Sequence, residues 1–190
     1  MRLTLPTALA AAALVLAGCA GGSDAPSPTP EPPLADAPAP APDQGLPVDA
    51  MPATDRAGFT ECPYLDTQWV ADTNGQRVTG AGTDTRFDTP ACQFWSYPEE
   101  PQLTVVVRHM RSPEEARAVV DWATPVAVTD PASQPSGWNG GRAGGGQVPG
   151  YAGAIYSVAK GPVAVSVWSN QQESVKTQAV AEETIARLGL

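Results

Sequence analysis

The stretch LTVVV at residues 103–107 carries the strongest strand pattern in the chain. Apolar side chains fall on both of its faces, which is typical of a strand that is buried on two sides. The sequence therefore predicts that these residues form a central strand of a sheet. The segments on either side of this strand predict how the sheet is completed.

The segments before this strand predict one helix and two further strands. ECPYL at residues 61–65 opens a helix that ends at Asn74-Gly75, because Pro63 suits a first helical position and glycine favours a helix end. Residues 83–88 alternate between polar and half-buried positions, as in a strand with one buried face. A turn follows, and residues 92–95 run back as a second strand. Both of these segments are expected to pair in the sheet.

The segments after it predict a helix, a hairpin and a last helix. Ser112-Pro113 begins a helix that Pro125 ends. Residues 151–159 and 163–168 have the pattern of a hairpin, and residues 174–188 that of an amphipathic helix. The order αβββαββα predicts an α+β fold, an antiparallel sheet of about five strands with packed helices.

The N-terminus has the pattern of an export signal. An apolar run ends in Leu16-Ala17-Gly18-Cys19, which resembles the lipobox of bacterial lipoproteins. The resemblance implies that residues 1–18 are a signal peptide, that cleavage precedes Cys19, and that its sulfur carries a lipid that attaches the protein to the membrane. The alternative, an uncleaved anchor, is disfavoured because the apolar run is shorter than the roughly 20 residues that span a bilayer.

Residues 19–57 change abruptly in composition. Ten of the 21 prolines fall in residues 20–57, with alanine and aspartate between them. Such a segment has too little apolar bulk to offset the entropy of ordering, so it predicts a disordered, extended tether. A single domain is then expected over residues 58–190. A spacer that has no partner of its own is the simplest role for the tether.

The cysteines predict a disulfide and no metal site. Cys62 and Cys92 remain after the lipid site at Cys19 is set aside, and an exported pair is expected to be oxidised. His109 is the single histidine and supplies no ligand cluster. We therefore expect neither a metal nor another cofactor.

Charge and residue pattern exclude some function classes. The formal net charge is −9, which opposes nucleic-acid binding and also opposes docking on anionic lipid headgroups. No nucleophile, base and orienting group occur in a recognisable arrangement, and the adjacent glutamate pairs do not converge on one substrate. The sequence favours a protein that is not an enzyme.

The connection at residues 129–150 is the candidate binding loop. It is long and glycine-rich, and it contains Trp138 and Arg142, two residue types that are frequent in binding hot spots. We expect Trp138 to be exposed there. Two other interpretations remain open: the segment is only a flexible connector, or Trp138 folds back and covers an open end of the core.

Six segments resemble a family of actinobacterial secreted lipoproteins of unknown function. They are ECPYL (61–65), PACQFW (90–95), QLTVVVR (102–108), VVDWATPV (119–126), GWNGG (137–141) and SNQQESVK (169–176). The order of the elements is also similar, more loosely, to mycobacterial extracytoplasmic sensor and lipoprotein domains. These resemblances imply a fold and an extracytoplasmic, lipid-anchored location, and they imply no activity.

The sequence thus predicts a cell-envelope lipoprotein that presents a non-enzymatic interaction domain on the outer face of the membrane. Its partner would be an envelope protein, a glycan or a lipid. A carrier of lipid or another amphiphile is the first alternative and would need an apolar cavity of several hundred Å³. A glycan hydrolase is the second and would need two carboxylates that face each other across a cleft.

Overall fold

The structure is a computed structural model and describes residues 45–190. The expected signal peptide, Cys19 and the tether as far as residue 44 lie outside the described residues. In chain order the elements are α1 (Thr67–Asn74), β1 (Gly80–Asp84), β2 (Thr89–Trp95), β3 (Leu103–His109), α2 (Pro113–Ala123), β4 (Asp130–Ala132), β5 (Asn139–Ala143), β6 (Ala154–Lys160), β7 (Val163–Ser169) and α3 (Ser174–Leu188). Among the described residues, no helix combines the length and apolar character needed to cross a bilayer.

The strands form one antiparallel sheet in the order β1-β2-β3-β7-β6-β5-β4. β3 is an interior strand beside the middle strand β7, pairs with β2 and β7, and is buried along its whole length. The central position predicted for this strand is confirmed. The chain builds β1 to β3 first, crosses over through α2 to the far edge, and returns by β4, β5 and β6 to β7.

Helices pack on both faces of the sheet. Val105 and Val107 share a cluster with side chains of α1 and α3, so these two helices cover one face. Val106 points to the opposite face, and so does Ala164, which packs against α2. We call this opposite face the strap face. The alternation along β3 therefore supplies both layers of the core.

A segment without helix or strand, residues 46–56, covers the part of the strap face that α2 leaves open. We call this segment the strap. Leu46 and Val48 pack against the apolar clusters of the face, and Thr54 lies against Gly82 of β1. Arg56 reaches the end of β2 with a 2.7 Å hydrogen bond to the carbonyl of Ser96. Leu46 and the strap residues after it are therefore packed on the sheet, ahead of the boundary that composition places at residue 58.

The expected disulfide is present between Cys62 and Cys92, with the two Cα atoms 5.7 Å apart. It joins the segment before α1 to β2, and it closes a separation of 30 residues. In the chain-entropy model, a loop of this length raises the free energy of unfolding by about 3.5 kcal/mol. The bond therefore fixes the N-terminal part of the domain to the sheet.

The antiparallel α+β class is confirmed, but the expected number of about five strands is wrong. The sheet has seven strands, because the segment expected to be an irregular loop contributes β4 and β5. Its glycines are needed for close packing. A side chain on Gly140 would collide with the carbonyl of Ser157 in β6, and one on Gly141 would lie 2.7 Å from the Thr124 hydroxyl oxygen.

The first helix and the first strand differ from expectation in their bounds. α1 begins only at Thr67, because the Asp66 carboxylate accepts a 2.8 Å hydrogen bond from the amide of Trp69 and caps the helix there. β1 ends at Asp84, and Phe87 is buried in the turn that follows. Both differences arise from side-chain contacts that short-range periodicity does not encode.

Candidate functional site

Trp138, the aromatic residue of the predicted binding loop, is buried. It is 2% exposed and belongs to the same apolar cluster as Ala132 and Tyr156. The ammonium of Lys160 lies 5.8 Å from the centre of its ring. The expectation of an exposed Trp138 is wrong, and the alternative in which it covers one end of the core agrees with the structure.

Arg142 is exposed on β5, opposite Asp130 of the edge strand β4. Its neighbour in β6 across the register is Tyr156, whose hydroxyl donates a 2.7 Å hydrogen bond to the carbonyl of Gln134. The structure therefore separates the two residues of the candidate loop. Trp138 is part of the core, and Arg142 is an exposed side chain on the outer part of the sheet.

The same region carries a surface that the sequence analysis missed, at the C-terminal end of α2. A groove of about 310 Å³ lies between α2 and the β4–β5 hairpin. Its lining consists of Arg117, Asp121, Thr124, Val126, Thr129, Asp130, Pro131, Gly140 and Gly141. An ion pair of 3.5 Å between Arg117 and Asp121 forms part of the rim.

Apolar side chains are exposed around this groove. Val126 is 76% exposed, and Trp122 and Val128 are also exposed. Trp122 packs against Trp168 with ring centres 5.9 Å apart, so its position is fixed by the core. The usable signal in the sequence is Val126 and Val128, which follow Pro125 at a point where the helical stripe has ended.

Two further grooves among the described residues are open to solvent. One of about 440 Å³ is lined by residues 61–67 with Arg187 and Leu188, and one of about 670 Å³ by residues of α1 and the segment after it. The carrier alternative requires space for a ligand between the sheet and the helices. In the described residues, side chains such as Val70, Val105 and Val180 fill that layer with no exposed surface.

His109 lies buried at the end of β3. Its Nε2 is 3.0 Å from the hydroxyl oxygen of Thr89, and its Nδ1 is buried without a hydrogen-bond partner among the described residues. Cys62 and Cys92 are oxidised and are not nucleophiles. Over residues 45–190, no group of three or more His, Cys, Asp or Glu side chains is placed to hold a metal ion.

The strap face contains two buried charges, and both bind the strap. Arg108 is 1% exposed and donates hydrogen bonds of 3.0–3.3 Å to the carbonyls of Leu46, Pro47 and Val48. Its guanidinium also lies 5.7 Å from the centre of the Phe87 ring. Buried charges are costly unless they are paired, so the strap carbonyls stabilise this arginine.

Asp84, 5% exposed, is the second buried charge. Its carboxylate accepts a 2.9 Å hydrogen bond from the strap amide of Ala53 and forms an ion pair of 2.6 Å with the guanidinium of Arg86. The hydrogen bonds from Arg86, together with the Ala53 amide, lower the pKa of Asp84 to about 2. Sequence periodicity placed Asp84 on a polar strand face and gave no signal for this role.

The family match covers the strap as well as the sheet. Residues 46–190 match the model of a family described as a domain of unknown function (DUF2020). No curated protein matches the chain. The match begins at Leu46, the first strap residue, which agrees with the packing of this segment on the sheet.

We predict that Trp138→Ala lowers the free energy of unfolding by about 3–5 kcal/mol, because it leaves a cavity in a packed core. Urea unfolding followed by circular dichroism measures the change. Arg142→Ala is the matched control, since it truncates an exposed residue on β5, and it should leave the unfolding midpoint nearly unchanged. Equal, small effects of the two substitutions would contradict the assignment of Trp138 to the core.

We also predict a pH dependence at Asp84. Since its pKa is lower in the folded state, the stability that it contributes is present above about pH 4 and is lost as the pH falls toward about 2. Asp84→Asn should therefore be less stable than the wild type at pH 7, and the two unfolding free energies should converge near pH 2. The unfolding free energy of Asp88→Asn, which alters an exposed carboxylate in the adjoining turn, should instead differ from that of the wild type by the same amount at every pH. A constant gap between Asp84→Asn and the wild type at every pH would refute this linkage.

Proposed function

Because the chain belongs to the DUF2020 family of domains of unknown function, its role has to be inferred from its own residues, and we propose that it is a cell-envelope lipoprotein. In this proposal Cys19 carries the lipid, and the domain is presented on the outer face of the membrane as a non-enzymatic interaction module. The lipobox-like Leu16-Ala17-Gly18-Cys19 supports the anchor. With a net charge of −9, attachment would come from the lipid rather than from a basic patch.

The disulfide supports an extracytoplasmic location. Disulfides persist in oxidising compartments and are rare in the cytosol. The Cys62–Cys92 bond joins two parts of the structure that lie 30 residues apart, so it is a structural crosslink within the domain. An exported domain of this size gains a substantial share of its stability from such a bond.

The observation that carries the proposal of an interaction module is the apolar surface at the end of α2. Val126 is 76% exposed, and the 310 Å³ groove next to it is bounded by the β4–β5 hairpin. Exposed apolar residues with a polar rim mark sites of interaction with other proteins. We propose that this surface contacts an envelope protein, and a glycan or lipid ligand is an outcome that the experiments below separate.

We predict that Cys19→Ala moves the protein out of the membrane fraction or blocks its processing, because a protein with this charge has no other means of membrane attachment in the proposal. Fractionation and the mass of the mature chain measure this. Ser23→Ala, a neighbouring substitution that leaves the cysteine in place, should behave like the wild type. A Cys19→Ala protein that is processed normally and stays in the membrane would end the lipoprotein assignment.

We predict that Val126→Asp reduces recovery of the envelope partner at least tenfold, because a charge would be desolvated in the centre of the contact. Recovery is measured by crosslinking in intact cells and purification of the full chain. Val175→Asp is the matched control, since Val175 is 66% exposed but lies on α3 at the other face of the sheet.

The unfolding midpoints of both variants should match that of the wild type, since both side chains are exposed. If Val175→Asp reduces recovery as strongly as Val126→Asp, the surface at the end of α2 is not the contact. If purified glycan or lipid vesicles retain the wild type and not Val126→Asp, the surface binds that ligand and the protein partner is excluded.

A further inference from the structure

We propose that the sheet surface beneath the strap is a peptide-binding groove that can exchange its occupant, and that the incoming occupant is the strap of a second copy of this chain. Two copies would each give their strap to the other and form a symmetric pair. This inference goes beyond the proposed envelope role, because it concerns a different face from the groove at the end of α2 and does not require the lipid.

The strap lies on the sheet with one side of the segment packed against it. From residue 45 to residue 57 exposed and half-buried residues alternate without a break. The half-buried positions are Leu46, Val48, Ala50, Pro52, Thr54 and Arg56. The segment turns where the amide of Ala50 donates a 3.0 Å hydrogen bond to the carbonyl of Pro47, and residues 50–55 continue along the sheet without a turn. Binding through backbone hydrogen bonds and alternate side chains is a common way to recognise peptides.

The groove holds this peptide mainly by its backbone. Arg108 binds three successive carbonyls, Asp84 binds the amide of Ala53, and Arg86 donates a 3.2 Å hydrogen bond to the carbonyl of Met51. All three binding side chains belong to β3, to β1 or to the turn after β1. None of these bonds requires that strap and sheet belong to the same copy.

Two side-chain contacts make the strap's own sequence the occupant that fits. The Thr54 hydroxyl donates a 2.6 Å hydrogen bond to the side-chain carbonyl of Gln93, and a Cβ atom on Gly82 would lie only 2.9 Å from the Thr54 Cβ. The groove is therefore fitted closely around Thr54. At the far end, Arg56 binds the backbone carbonyls of Ser96 and Tyr97.

The connection between strap and domain is a suitable hinge. Residues 57–60 are all exposed, and the backbone bonds at this point are those from Gly58 to Asp55 and from Thr60 to Ala81. Beyond the hinge, Cys62 is fixed to the sheet by its disulfide. The strap can therefore detach from the sheet without disturbing the part of the domain that the disulfide holds.

Exchange is favoured over an empty groove. Departure of the strap removes three acceptors from buried Arg108 and one donor from buried Asp84, and leaving buried charges without these partners is costly. A second copy's strap restores every one of these bonds, so reciprocal exchange costs mainly the entropy of association. Confinement of copies to one membrane would lower that cost further.

The test uses two full-length copies with different tags, expressed together and purified in detergent. The donor copy carries Thr54→Cys and the acceptor copy carries Gln93→Cys, the pair whose native side chains are 2.6 Å apart. A short thiol-to-thiol linker joins the copies only when the strap of one lies on the sheet of the other. We expect linked donor–acceptor pairs at a yield at least fivefold above the control described next.

The control acceptor carries Ser133→Cys in place of Gln93→Cys. Ser133 is exposed and follows β4, at the opposite edge of the sheet from β1, so linking there reports chance encounters. A single chain with both Thr54→Cys and Gln93→Cys shows how efficiently the reagent reaches the groove. A donor–acceptor yield no higher than that of the Ser133 control overturns the proposal.

Sedimentation of the full-length chain provides a readout without the linker. The wild type should form dimers that increase with concentration, and Gly82→Val should reduce them at least fivefold, because it fills the space that Thr54 occupies in either copy. Gly58→Ala, where a Cβ would have only an ordinary 3.6 Å contact, should behave like the wild type. A wild type that remains monomeric throughout, or equal dimer fractions in Gly82→Val and Gly58→Ala, also overturns the proposal.

Discussion

The guanidinium of Arg108 is the constraint on which one side of this domain depends. It lies on a sheet face, 1% exposed, and a buried charge of this kind must find acceptors. The carbonyls of residues 46–48 are among them, and they reach the guanidinium only when this part of the chain lies on the strap face. The strap is therefore a structural part of the domain, and the family match, over residues 46–190, includes it.

At the other end of β3, away from Arg108, the buried polar side chains are neutral. The amide of Asn74 donates a 3.0 Å hydrogen bond to the side chain of Gln102, and the Ser169 hydroxyl donates one of 2.6 Å to Asn74. These bonds connect α1, the start of β3 and the end of β7, and all three residues are fully buried. Since none of the three groups titrates in the usual pH range, acid should weaken the strap side before this end.

The sequence predicts well where pattern and local chemistry agree. β3 is apolar on both faces, Ser112 and Pro113 start α2, and the cysteine count pairs Cys62 with Cys92. The strap is missed because its alternating side chains lie in a segment rich in proline, alanine and aspartate, a composition that indicates disorder. β5 is missed because its glycines permit close packing between strands, while composition associates them with flexible loops.

The two edges of the sheet bear on how this domain can bind. At the β1 edge, the amide of Thr60 bonds to the carbonyl of Ala81, and Phe59 forms a bridge with the same residue. At the other edge β4 has three residues, with Pro131 in the middle, and short strands with proline resist the addition of a further strand. Backbone pairing at an edge is thus disfavoured on both sides. For the proposed interaction this leaves side-chain contacts, and Val126 and Val128 after α2 are exposed apolar residues on the described surface.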